Sequence, residues 1–219
     1  MTTQPASNFK NFVVLTALVG DVEHKTSKAG KPYAVASASV TQNEGQPDLA
    51  LRVVVLDGLS EQLTAGEHTL VGRLGYEEDR DGKGTIVLYP HKIEAAPADG
   101  RKRNFANLTL RVGADPQAAY SPAGRMWARL RAFLGMGKTA DGKGYKPSLW
   151  LNVKAFASKE GDESLPGALI SLNKGESAAF SGRLAWEVYN ERGSLTLFAS
   201  KVETSQPEVE PVEEEECPV

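Results

Sequence analysis

Cysteine is almost absent from this chain of 219 residues: Cys217 stands alone. That excludes a disulfide framework and any zinc site built on thiolates. The three histidines, His24, His68 and His91, have no metal-ligand spacing, so neither a metal nor a cofactor is expected. Long apolar runs are missing too. The longest unbroken stretches are a few residues, such as 53–56, too short to span a bilayer. Residues 12–20, with Lys10 before them, have the look of a signal h-region. No small-residue cleavage site follows, and a similar stretch recurs near Asn107, so these residues read as a strand and a cytoplasmic location is expected. No Ser–His–Asp or paired-carboxylate arrangement stands out, which argues against an enzyme. Gly137-Lys138-Thr139 resembles the end of a P-loop, but the required first glycine falls at Ala132. The acidic run Glu77-Glu78-Asp79 with Asp81 reads as a solvated hairpin tip.

Glycine and proline number 21 and 12, below the share of low-complexity chains, so they serve as turn punctuation and favour an all-β fold. Net charge is only −3, but it is unevenly spread. Residues 1–96 carry 9 basic and 12 acidic side chains. Residues 97–203 carry 16 basic and 10 acidic, a net +6, and residues 204–219 carry six glutamates and no base. A basic module is the footprint expected of a partner for a polyanion. The glutamate- and proline-rich end, without aromatics, is expected to be a disordered acidic tail.

Five anchors recur in order at an offset of about 95–110 residues, the mark of a duplicated domain. Asn8-Phe9-Lys10-Asn11-Phe12 answers to Asn104-Phe105-Ala106-Asn107-Leu108. The segment from Ser27 to Ala34 answers to that from Ser121 to Ala128, and Pro47-Asp48-Leu49-Ala50-Leu51 to Pro147-Ser148-Leu149-Trp150-Leu151. Gly72-Arg73-Leu74 matches Gly182-Arg183-Leu184, and Lys92-Ile93-Glu94 matches Lys201-Val202-Glu203. Within the copies, apolar and polar residues alternate with the period of strands. Asp81-Gly82-Lys83-Gly84 and Asn190-Glu191-Arg192-Gly193 mark hairpins. Residues 163–171 predict a helix, with a weaker equivalent at 59–63. Each copy thus has about five strands and a small helix before the fourth, the elements of a five-stranded Greek-key OB-fold barrel. The expected organisation is an all-β chain of two tandem OB-folds at 8–94 and 104–203, a linker at 95–103 and the tail at 204–219.

The second copy carries the chemistry. Met126, Ala128, Leu130, Ala132 and Leu134 alternate with Arg125, Trp127, Arg129, Arg131 and Phe133. Leu149, Leu151, Val153 and Ala155 alternate with Trp150, Asn152, Lys154 and Phe156. Aromatic rings interleaved with cations on the non-core face of a sheet suit a single-stranded nucleic acid: bases stack on the rings while Arg and Lys neutralise phosphates. A duplex hides its base faces. Trp186 is assigned instead to the core, because it shares parity with Leu184 and Val188; Tyr189 falls on the opposite parity with Arg183. In the first copy Ala50, Arg52, Val54 and Leu56 take the places of Trp150, Asn152, Lys154 and Phe156, while Val35 and Ser37 replace Arg129 and Arg131. Such a face suits a protein interface.

These residues resemble the bacterial and phage single-stranded DNA-binding protein (SSB) family. Gly113-x-Asp115-Pro116-x-x-x-Tyr120-x-Pro122-x-Gly124 is similar to the family's opening segment. Trp150-x-x-Val153-x-x-Phe156 looks like its Trp-x-x-Val-x-x-Phe strand, and Lys174-Gly175 with Gly182-Arg183-Leu184 resembles its Lys-Gly and Gly-x-Leu elements. The resemblance implies base stacking by Trp150, Phe156 and Tyr189; the alternating faces add Trp127 and, more weakly, Phe133 to the expected stacking residues. Phosphate contacts are expected of Arg125, Arg129, Arg131 and Lys154, with Asn152 and Arg183 completing the surface. It further implies a tail that recruits DNA-processing enzymes through Glu213, Glu214, Glu215, Glu216, Pro218 and Val219, although the family tip ends in Pro-Phe and this chain in Pro-Val. Two barrels per chain imply a homodimer of four OB-folds. The expected function is non-catalytic coating of single-stranded DNA in replication, recombination or repair, in the cytoplasm with the nucleoid and away from membranes. The alternatives are an OB-fold interaction scaffold of a replication complex, against which the basic module argues, and an RNA-binding chaperone with the same sheet chemistry.

Overall fold

The alternating segments settle into strands because one face of each is apolar and must be buried. A computed structural model describes residues 10–42, 46–79, 81–139 and 142–204. Asn8, Phe9 and the proposed tail residues Glu213, Glu214, Glu215, Glu216, Pro218 and Val219 lie outside these. The first copy contains β1 (Asn11–Thr26), β2 (Pro32–Val40), β3 (Leu49–Leu56), a 3₁₀ turn (Asp57–Gln62), β4 (Gly66–Glu78) and β5 (Gly84–Ala95). The second contains β6 (Asn104–Val112), β7 (Gln117–Tyr120), β8 (Met126–Leu134), β9 (Leu149–Phe156), α1 (Ser164–Ile170), β10 (Ser177–Tyr189) and β11 (Arg192–Thr204). The helix and its weaker 3₁₀ counterpart stand where the apolar spacing predicts them.

Each copy closes on itself. β1 pairs with β2, β2 with β3, β3 in parallel with β5, β5 with β4, and β4 with β1. β6, β8, β9, β11 and β10 repeat this circuit, again with one parallel pair, β9–β11. This is the OB-fold, twice. The second copy splits its first strand. β7 pairs with β8 up to Tyr120↔Met126, as the far half of β1 pairs with β2 up to Thr26↔Pro32. In β1 the bend is absorbed by a bulge between Val19 and Val22; in the second copy residues 113–116 break the strand, and Pro116 offers no N–H for a ladder.

Equivalent hydrogen bonds fix the alignment of the copies. Asn11 donates from Nδ2 to the Leu74 carbonyl and accepts from the Leu74 N–H (2.8 and 2.9 Å). Asn104 does the same with Leu184 (2.8 and 2.9 Å). The structure therefore pairs Asn11-Phe12 with Asn104-Phe105, a correction of three residues to the Asn8-Phe9 register. The Asn-Phe pair occurs twice within five residues, so sequence alone offers both. The other anchors hold: the turns at Gly30 and Gly124 have φ of 77° and 71°, and each closes on a serine carbonyl, Ser27 or Ser121 (both 2.9 Å). Gly72 and Gly182 sit at matching bulges, where a Cβ would strike the backbone oxygens of Tyr89 and Phe198. Only glycine allows that approach.

The barrels join edge to edge. β1 and β6 run antiparallel, with Asn11↔Leu108, Val13↔Ala106 and Leu15↔Asn104 in register, so a local two-fold relates the two first strands. Leu15, Leu70 and Leu88 fill the first barrel; Leu108, Phe180, Leu184 and Leu197 fill the second, all inaccessible to solvent. The outer face of the seam stays apolar, with Phe12 and Phe105 each about two-fifths exposed. Among the described residues no helix is long and apolar enough to cross a membrane, and no cluster of potential metal ligands occurs.

Candidate nucleic-acid interface

The antiparallel register of β8 and β9 builds the platform. It sets Trp127 opposite Phe156 and Phe133 opposite Trp150. The first pair is stacked, with centroids 6.4 Å apart and planes at 22°; the second is tilted, at 4.9 Å and 44°. Six strand positions separate the pairs, about 20 Å at roughly 3.3 Å per residue. Between them lie Arg129 opposite Lys154 and Arg131 opposite Asn152. The core-facing residues of both strands are buried, and Trp150 and Phe156 are about half exposed (46% and 50%). A Cβ on Gly113 would run into the Trp150 ring, so this glycine makes room for the indole. The Arg131 guanidinium lies 5.0 Å from the same ring's centre, a cation–π contact.

Each cation is oriented differently. Arg125 is exposed in the turn before β8. Arg129 donates from Nε and Nη2 to the Gln117 side-chain oxygen Oε1 (3.0 and 2.8 Å), which holds it toward β7. The Lys154 ammonium sits 2.7 Å from the Glu187 carboxylate, so its charge is partly spent within the protein. Asn152 donates from Nδ2 to the Ser194 hydroxyl at 3.1 Å. Arg183 covers the Phe198 ring at 4.3 Å.

A groove of about 690 Å³ runs along this face, lined by Arg129, Arg131, Asn152, Lys154, Glu187 and Tyr189, and by Gln46 from the first barrel. Gln42, on the same β2–β3 connection, donates to the Trp186 carbonyl at 3.3 Å, so that loop leans on the second barrel. A second depression of about 590 Å³ brings together Phe156, Arg183, Phe198 and Phe105. Phe156 and Phe198 stack at 6.1 Å, which extends the aromatic row to Trp127–Phe156–Phe198. Trp127, Phe133, Trp150 and Arg125 line neither depression but share the outer face of β8–β9. Tyr189 is 79% exposed at the end of the β10–β11 hairpin. Trp186 packs against the core, as its parity with Leu184 predicts, while Val188 beyond it is half exposed.

Phe198, Glu187, Thr196 and Gln46 escape the sequence reading. Phe198 had a signal: it shares parity with Ser194 and Thr196, opposite the buried Leu195 and Leu197. Glu187 and Gln46 had none, since their roles come from pairing between distant segments.

The first barrel carries a reduced copy of this floor. Arg52 bonds Glu77 at 2.8 Å, and the Tyr89 hydroxyl donates to Glu77 at 2.6 Å. Burial, reinforced by Glu77, pushes the Tyr89 phenol up to about 12. Arg73 lies 5.7 Å from the Tyr89 ring centre, as Arg183 lies over Phe198. Trp150 and Phe156, however, give way to Ala50 and Leu56, and Val54 is buried. The acidic turn is satisfied by its own backbone, Asp79 accepting from the Asp81 and Lys83 amides (3.0 and 2.8 Å). Lys138 of the P-loop-like segment bridges to Tyr145 within the β8–β9 connection.

No protein-family model and no curated protein matches the chain. Solved structures do. The chain superposes on a deletion mutant of the single-stranded DNA-binding protein from Thermus aquaticus with a TM-score of 0.63 at 20% identity, covering 95% of this chain and 100% of that one. The wild-type Thermus aquaticus protein gives 0.61 at 18%, covering 92% and 95%. The likeness is one of fold: the tandem OB-fold arrangement is shared over nearly the whole length of both chains.

Proposed function

We propose that this protein is a non-catalytic single-stranded DNA-binding protein that coats exposed strands during replication, recombination or repair, working at the nucleoid in the cytoplasm. One observation carries the reading: the outer face of β8–β9 holds two aromatic pairs, Trp127–Phe156 and Phe133–Trp150, about 20 Å apart, with arginines between them. The stacking rings accept the bases of an unpaired strand whatever their sequence. Arg125, Arg129, Arg131 and Arg183 neutralise phosphates, and Tyr189 adds a ring at the mouth of the groove. Phe198 extends the row. The shared fold of the Thermus aquaticus protein, whose name states single-stranded DNA binding, supports the same reading. The first barrel, without Trp or Phe at the equivalent positions, buttresses the second; the apolar outer face at Phe12 and Phe105 suits a homodimer of four barrels. The acidic tail supplies a docking segment for DNA-processing enzymes.

All three tryptophans, Trp127, Trp150 and Trp186, lie in the second copy, so intrinsic fluorescence reports on it directly. Titration with a thymidine homopolymer should quench the emission strongly, less at high salt, while duplex DNA should not. Absence of quenching from a folded protein would sink the reading in favour of an interaction scaffold. Equal affinity for RNA and DNA strands would favour the chaperone.

A further inference from the structure

A carboxylate on the floor of a groove built for a polyanion needs a reason. Glu187 lies on β10, lines the main groove and is only partly exposed (27%). Its Oε1 accepts from Lys154 Nζ at 2.7 Å and its Oε2 from the buried Thr196 hydroxyl at 2.6 Å. The side chain is thus fixed from both ends. A carboxylate offers about four lone-pair sites, and these two bonds leave about two. Neighbouring Asn152 turns its amide nitrogen to Ser194 and keeps its carbonyl as an acceptor. The floor is therefore rich in acceptors, whereas the rest of the lining, its walls, carries three arginines, Arg129, Arg131 and Arg192, against one carboxylate, Asp115. The same carboxylate recurs in the other copy as Glu77, held by Arg52 and Tyr89, so it belongs to the duplicated design of the barrel floor.

Resting on the DNA-binding reading above, we propose that Glu187 is a specificity-determining residue that reads base edges, accepting a hydrogen bond from the amino group of a base seated in the groove. Phosphates are repelled from the floor and held by the walls, which turns the bases inward. A base with an exocyclic amino donor, such as cytosine through its N4, satisfies the carboxylate. Thymine's one donor is its N3–H, flanked on both sides by carbonyl oxygens, so a carboxylate that accepts from it is also set against two acceptors. Glu187 is a positioning residue for Lys154 as well, and the two roles separate by experiment.

The test compares homopolymers of deoxycytidine and thymidine, of equal length, on the full chain and on Glu187→Gln, with affinities measured at two salt concentrations. The absolute preference of the wild type also contains base stacking, so the reading is the change in the cytidine-to-thymidine affinity ratio. The substitution should lower that ratio about three- to tenfold, the order of one lost base contact. If Glu187 only restrains Lys154, the variant binds both polymers more tightly by the same factor, with a steeper salt dependence and an unchanged ratio; that overturns the proposal. Thr196→Val, which removes one support of the carboxylate, should reduce the ratio partway. Failure of the wild type to bind either polymer would instead reject the DNA-binding reading itself.

Discussion

The side chain that separates the two copies most sharply is Trp150, whose counterpart is Ala50. Its ring is half exposed, with Arg131 5.0 Å from its centre and Phe133 beside it. Trp150→Ala should therefore cost about 1–3 kcal/mol of single-strand affinity, while Arg52→Ala in the first copy costs less; isothermal titration with an oligonucleotide checks both, and equal losses would mean that both barrels bind. Gly113→Ala tests the same contact from beneath, since its methyl group must displace the indole. Such faces were legible in the sequence, because the parity of Trp127, Trp150 and Phe156 against the buried Ala128, Leu151 and Ala155 is a local property. What a side chain meets across the barrel was not: Lys154 reads as a phosphate ligand until β10 brings Glu187 to it. Tyr89 gives a pH test. Its phenol is raised from 10 to about 12 by burial and Glu77, so between those values the unfolded chain binds fewer protons than the folded one. The contribution is fully present below about pH 10 and is lost as pH rises through 12. Thermal melts at pH 9 and pH 11 should show a smaller drop in Tm for Tyr89→Phe than for the wild type.

Hairpin register depends on turn chemistry, and here one element departs from the favoured pattern. The β10–β11 turn places Asn190 and Glu191 at φ of 48° and 63°. Asparagine tolerates the left-handed region, whereas a glutamate there costs roughly 1–2 kcal/mol. Glu191→Gly should remove that strain at the smaller entropic cost of glycine, a net gain of about 0.5–1 kcal/mol, and raise Tm by a few degrees. Unchanged or lower Tm would show that Glu191 makes compensating contacts. The sequence marked this hairpin and the 81–84 turn correctly because both are local. It did not mark the break between β6 and β7: the same stretch of OB strand runs through a bulge in β1, whereas residues 113–116, with Pro116 among them, interrupt it in the second copy before Gln117–Tyr120 resumes the shared pairing. The three-residue slip in the first anchor has the same origin. A repeated Asn-Phe leaves the register open until the bonds from the Asn11 and Asn104 side chains to the Leu74 and Leu184 backbones decide it.

At the scale of the whole molecule, charge is partitioned rather than balanced: the 97–203 module carries +6 and residues 204–219 carry six glutamates. On the proposed reading the module has two polyanions within reach, a nucleic acid and the chain's own glutamates. With Arg125, Arg129, Arg131 and Arg183 on phosphates and Lys154 retained by Glu187, about four charges are neutralised. The logarithm of affinity should then fall against the logarithm of salt with a slope of roughly −3 for a single strand. On the proposed reading the six glutamates compete for the same arginines through an interaction that salt screens just as readily, with a reach of about 10 Å at 0.1 M. In the intact chain, low salt strengthens both partners, so part of the gain in DNA affinity is cancelled and the measured slope is shallower. Deleting residues 208–219 should tighten binding at low salt, leave it nearly unchanged at high salt and restore the full slope. If low-salt affinity does not change, the tail does not reach the basic face and is left to other proteins alone; a truncated chain that binds more tightly at every salt concentration would point to a contact more specific than charge.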